Sequence, residues 1–139
     1  MKSNIRFICV YVFLINSCVE HQDIYIDKFQ VDKIELINDR NDSKYPKHLE
    51  FNDQISISLI IHEINKLKPI NQVGVKSNYG SLYLDIKMKD GEKIHYIITY
   101  TRYDGVVVMG QDQSLLRGYS KYYKNDRLEQ ILFYFMIHD

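Results

Sequence analysis

The alternation of apolar and polar positions is clearest over residues 81–89. Leu82, Leu84, Ile86 and Met88 fall on one side, and Ser81, Tyr83, Asp85, Lys87 and Lys89 fall on the other. A period of two predicts a half-buried β-strand. Asp90-Gly91 comes next, a dipeptide expected to form a type I′ hairpin turn, and residues 93–103 supply the partner strand. Asp104-Gly105 marks a second reversal into Val106, Val107, Val108 and Met109. Residues 81–109 therefore read as a three-stranded antiparallel meander.

Upstream, residues 29–37 put Phe29 and Val31 on one parity and Ile34 and Leu36 on the other. A strand with a bulge near Asp32-Lys33 reconciles the two halves. Residues 38–47 are dense in turn residues and charge and read as a loop, followed by a brief strand over 48–51. Ile57, Ile60, Ile61, Ile64 and Leu67 then recur at helical spacing behind Asn52-Asp53, whose side chains suit an N-cap. Lys66 and Lys68 complement the end of that helix, and Pro69 blocks its continuation. Downstream, residues 110–118 read as loop and 119–124 as an edge strand. Asn125-Asp126 open a last helix with Leu128, Ile131, Leu132 and Phe135 on one face and Asp126 and Glu129 in its first turn. The expected fold is α+β: an antiparallel sheet of about four to six strands with two helices packed on one face.

Composition narrows the class. The chain has 139 residues, enough for one domain, and 45% apolar with 26% charged residues excludes wholesale disorder and collagen-like repeats. Lys plus Arg and Asp plus Glu both number 18, a net charge of zero. That balance argues against a nucleic-acid partner drawn by a positive field. Two Cys cannot form the disulfide framework of a small secreted domain.

The first eighteen residues follow a different logic. Lys2 and Arg6 flank the start of nine consecutive apolar residues, 7–15, and no acid occurs before Glu20. Spanning a bilayer takes about 20 apolar residues. A basic start and a short apolar run are instead the layout of a secretory signal peptide. Leu14-Ile15-Asn16-Ser17-Cys18 resembles the lipobox of bacterial lipoproteins, with aliphatic Ile15 three places before the Cys and small Ser17 directly before it. The resemblance implies cleavage before Cys18, diacylglycerol on its sulfur and an acyl chain on the new N-terminus. It divides the chain into a signal peptide (1–17), a lipidated tether (18–27) and a single α+β domain (28–139). It also implies a membrane partner through the lipid, with the domain facing the periplasm or the exterior. Val19 stands where some Gram-negative lipoproteins carry the Asp of inner-membrane retention, so in such a cell the outer membrane is favoured. Cleavage removes Lys2 and Arg6 and no acid, which leaves 16 basic and 18 acidic residues, a net charge of −2.

Candidate chemistry is sparse. His62-Glu63 lacks the second His four positions on that a zinc-protease helix requires, and no two of the five His stand at metal-clip spacing. There is no G-x-S-x-G elbow, and lipidation of Cys18 leaves the mature domain without a thiol. The glycines form neither a P-loop nor a dinucleotide fingerprint. No catalytic residue, metal site or cofactor is expected. Tyrosine is the remaining feature, twelve against no Trp. Tyr is both a strand former and a contact residue with a polar tip. Tyr96, Tyr100, Arg102, Tyr103, Asp112, Arg117 and Tyr119 make the candidate binding edge. Three functions stay open. One is a non-enzymatic, lipid-anchored envelope module that binds another envelope protein, such as an inhibitor, an immunity-type protein or an assembly factor. The second is a small envelope hydrolase or ligand-binding sensor with scattered site residues, and the third is a spacer.

Overall fold

The structure, a computed structural model, describes residues 25–40, 44–70, 81–101, 105–111 and 120–138. The chain enters through a 3-10 turn, Lys28–Gln30, capped by Asp27, whose carboxylate accepts from the Phe29 N–H. Phe29 is thus not on a strand and stands exposed. β1 (Val31–Asn38) pairs with β2 (His48–Phe51), and a register shift between Val31 and Lys33 is the bulge expected there.

α1 (Gln54–Ile64) starts on Asp53, whose carboxylate accepts from the Ile55 and Ser56 N–H groups. The helix stops at Ile64, three residues short of the expected stripe, yet Leu67 is still buried. β3 (Lys68–Pro69), β4 (Leu82–Met88), β5 (Lys93–Thr101), β6 (Gly105–Gln111) and β7 (Ser120–Lys124) follow, and α2 (Asp126–His138) completes the described chain. Asn125 caps α2 by accepting from the Arg127 N–H.

The seven strands of the described residues form one antiparallel sheet in the order β2-β1-β4-β5-β6-β7-β3. The count exceeds the expected four to six because Lys68-Pro69, read only as a helix stop, pairs with Tyr123-Lys124. Proline is tolerated in such an outermost strand, where its missing N–H faces no partner. β7 is consequently not an edge.

The β4–β5 turn also departs from expectation. Gly91 is the only described residue with positive φ, +93°, whereas a type I′ turn needs two such residues. The Gly91 N–H donates to the Met88 carbonyl, and Lys87 pairs with Lys93. The loop therefore holds three residues, Lys89-Asp90-Gly91, with Gly91 supplying the left-handed conformation.

One hydrophobic core joins the sheet to both helices. Ile34, Leu36, Leu82, Leu84, Ile86, Ile98 and Val108 from the strands meet Ile57, Ile60, Ile61, Ile64, Leu128 and Leu132 from the helices, all essentially sealed from solvent. Tyr96 belongs to this core, 3% exposed, so it cannot offer its ring at a binding edge. Burial pushes its phenol pKa up, with a smaller contribution from Tyr123.

Candidate functional site

The non-core positions of β1, β4 and β5 share the opposite face of the sheet, because side chains alternate along each strand. Strand register arranges them in rows. Glu50, Glu35, Asp85 and His95 are successive cross-strand neighbours over β2, β1, β4 and β5. Lys33, Lys87 and Lys93 form the adjacent row. Like charges placed directly opposite would repel. Here each lysine instead reaches diagonally into the acidic row. Lys33 Nζ lies 2.5 Å from Glu50 and 2.9 Å from Glu35, Lys87 Nζ is 2.7 Å from Glu35, and Lys93 Nζ is 2.6 Å from Asp85.

The array shifts its own protonation. Hydrogen bonds from Lys87 and then Lys33 pull the Glu35 pKa down to about 2. Burial alone would push Asp85 up, but Lys93 and His95 outweigh it and hold the carboxyl below the usual range. Lys93 is raised in return, chiefly by its hydrogen bond to Asp85.

His95 and Asp85 are the most specific pair in the array. Asp85 Oδ1 contacts His95 Nδ1, and the Tyr83 ring stacks on the imidazole at 5.9 Å and 23°. The carboxylate and the phenol ring together fix the ring plane, and among the described residues Nε2 has no hydrogen-bond partner. The His95 side chain is 33% exposed, and the Asp85 side chain only 9%. Such a pair can orient an imidazole for hydrogen bonding or proton transfer. Among the described residues no hydroxyl is hydrogen-bonded to His95, and no group of three or more His, Cys, Asp or Glu is placed to hold a metal.

Beyond this array lies an apolar row, Ile37, Tyr83, Ile97, Met109 and Tyr122. A second charged cluster sits between the helices. Glu63, buried on α1, accepts from Asn125 Nδ2 at 3.1 Å and meets Lys66 Nζ at 3.2 Å. Asn125 also donates to the Glu63 carbonyl at 2.7 Å, so this cluster ties the C-terminus of α1 to the N-terminus of α2.

The sequence-derived edge divides differently. Tyr96 is core, and Tyr100 occupies β5 opposite Val106. Arg102, Tyr103, Asp112, Arg117 and Tyr119 lie outside the described residues, as do Cys18 and the signal segment. The Asp85–His95 pair was missed, although both residues sit on the polar parity of the best-patterned hairpin. Comparison of the chain with models of known protein families, with curated proteins and with solved structures finds no match.

Proposed function

We propose that the protein is a lipid-anchored cell-envelope interaction module without catalytic activity. Cys18 carries the lipid, both helices cover one face of the sheet, and the opposite face binds another envelope protein. The carrying observation is the outer-face array: three lysines and three carboxylates in ordered cross-strand rows, with the Tyr83–His95 stack set among them. Ordered charges beside aromatic surface provide register and orientation in protein recognition. The sharing of one core by Ile60, Leu128 and the inward side chains of the strands supports the one-sided helix layer.

Two experiments test this reading. Cys18→Ser should abolish palmitate labelling and leave the protein unprocessed or soluble; unchanged labelling ends the anchor. A photoreactive phenylalanine at Tyr83 should give a discrete adduct with one envelope protein. The Lys87→Glu/Lys93→Glu double variant should lose that adduct while staying folded, and an adduct indifferent to both charges rules the face out.

The second reading, a small envelope hydrolase or sensor, draws support from the Asp85–His95 pair alone. It expects His95→Ala and Asp85→Asn each to abolish turnover or binding of a small envelope ligand. Retention of full activity in both removes it.

A further inference from the structure

Resting on the lipid anchor proposed above, the geometry points to a second surface, one that seats the domain on the bilayer. Ile26 is buried, and Asn65 grips its backbone from both sides: Oδ1 accepts from the Ile26 N–H at 2.8 Å, and Nδ2 donates to the Ile26 carbonyl at 2.9 Å. The chain therefore meets the domain beside the C-terminal half of α1. A groove of about 380 Å³ opens there, lined by Tyr25, Lys28, Phe29, Ser58, His62 and Lys66 among others.

Large apolar side chains cluster around this groove. Tyr25 is 75% exposed and Phe29 61%. Ile55 and Leu59, one helical turn apart on α1, are 76% and 46% exposed, and they adjoin the groove residues Ser58 and His62 on the same helical face. Single exposed apolar residues are ordinary, but two lining one concavity, with two more on the adjoining turns of α1, mark an interaction surface. Lys28 Nζ lies 5.1 Å from the Phe29 ring centroid, which sets a cation beside an aromatic ring. His62 and Lys66 add basic groups at the rim, Lys66 sharing its charge with buried Glu63. Among the described residues, the acid lining the groove is Asp27, whose carboxylate accepts from the Phe29 N–H. Aromatic and aliphatic groups with basic neighbours match the boundary between acyl chains and anionic headgroups.

Tether length selects this occupant. Cys18 lies seven residues before Tyr25, so even fully extended the link spans at most about 25 Å. A domain of this size has a radius of gyration of about 13 Å and is wider than the tether is long. The bilayer thus meets the side from which the tether emerges, and the Tyr83–His95 face points away from it.

Removal of residues 1–17 and lipidation of Cys18 leave no thiol, so an introduced Cys reports one position. The full chain is expressed, processed and reconstituted in phosphatidylethanolamine–phosphatidylglycerol vesicles with brominated acyl chains. Environment-sensitive dyes are attached to Leu59→Cys, to Ile55→Cys and, just past the far end of β1, to Asp39→Cys. Dyes at 55 and 59 should shift to the blue and lose emission to bromine, while the dye at 39 does neither. Equal quenching at all three positions, or none at 55 and 59 with palmitate still on Cys18, overturns the seat and leaves the anchor standing. Dye uptake by the unsubstituted protein at Cys18 itself, mapped by peptide mass, shows a free thiol there and overturns both.

Discussion

Tyr96 and Gly110 face each other directly across β5 and β6, and a Cβ on Gly110 would come within 3.3 Å of both Tyr96 Cε1 and Tyr123 Cε2. Both rings are core residues, each 3% exposed, so neither can swing aside into solvent. Gly110→Ala should therefore destabilise the domain. Overpacking of this kind costs about 1–3 kcal/mol, offset in part by the lower chain entropy of unfolded Ala. A urea midpoint that falls at unchanged slope checks this. A midpoint equal to or above that of the parent chain would show that the rings accommodate the methyl.

The core position of Tyr96 was itself legible in the strand pattern. Tyr96 shares parity with Ile94 and Ile98, and two isoleucines on one face already announce a core-facing side. The hairpin was legible in the same way. A two-residue Asp90-Gly91 loop would pair Asp85 with Tyr96 and Leu84 with Ile97, crossing the polar and apolar parities of the two strands. The three-residue loop pairs Leu84 with Tyr96 and Asp85 with His95, restoring both faces. Local turn preference pointed one way and the face pattern the other, and burial of the apolar face decided the register. The caps at Asp53 and Asn125 were legible because capping chemistry is local. The Lys68-Pro69 strand was not, since its existence depends on β7 arriving from more than fifty residues away.

Asp53 caps α1 through two backbone N–H groups, at 3.1 Å to Ile55 and 2.8 Å to Ser56. Asp53→Ala should lower stability by about 0.5–2 kcal/mol, and Asp53→Asn should recover most of the loss. Equal losses in the two variants would place the effect in the charge rather than in the hydrogen bonds.

Asn65 holds Ile26 through two hydrogen bonds at a partly buried position. Losing both should weaken the local closed state by about 1–2 kcal/mol. Asn65→Ala should accordingly raise hydrogen exchange at the Ile26 amide roughly tenfold while leaving β4 and β5 protected. Uniform acceleration throughout the domain would mean that the latch is part of the global fold rather than a local clasp.

Acid should destabilise the domain through a small set of carboxylates. Glu63 would be raised by its burial, but the hydrogen bond from Asn125 and the Lys66 and Arg127 charges hold it below the ordinary range. Asp85 is lowered by Lys93 and His95 against its own burial, and Glu35 lies at about 2. A carboxylate with a folded-state pKa below its unfolded value binds protons preferentially in the unfolded chain. Its contribution is complete above the unfolded pKa, near 4, and drains away as the pH falls through the folded one. Stability should thus be level near neutrality and decline between roughly pH 5 and pH 2. Glu63→Gln removes one of these titrating groups and leaves Lys66 and Arg127 facing a neutral amide. It should cost about 1–3 kcal/mol at pH 7 and flatten the acid decline. Urea midpoints at a series of pH values check both effects. A parallel downward displacement of the whole curve would show that Glu63 acts by packing alone, with no protonation difference between the folded and unfolded chains.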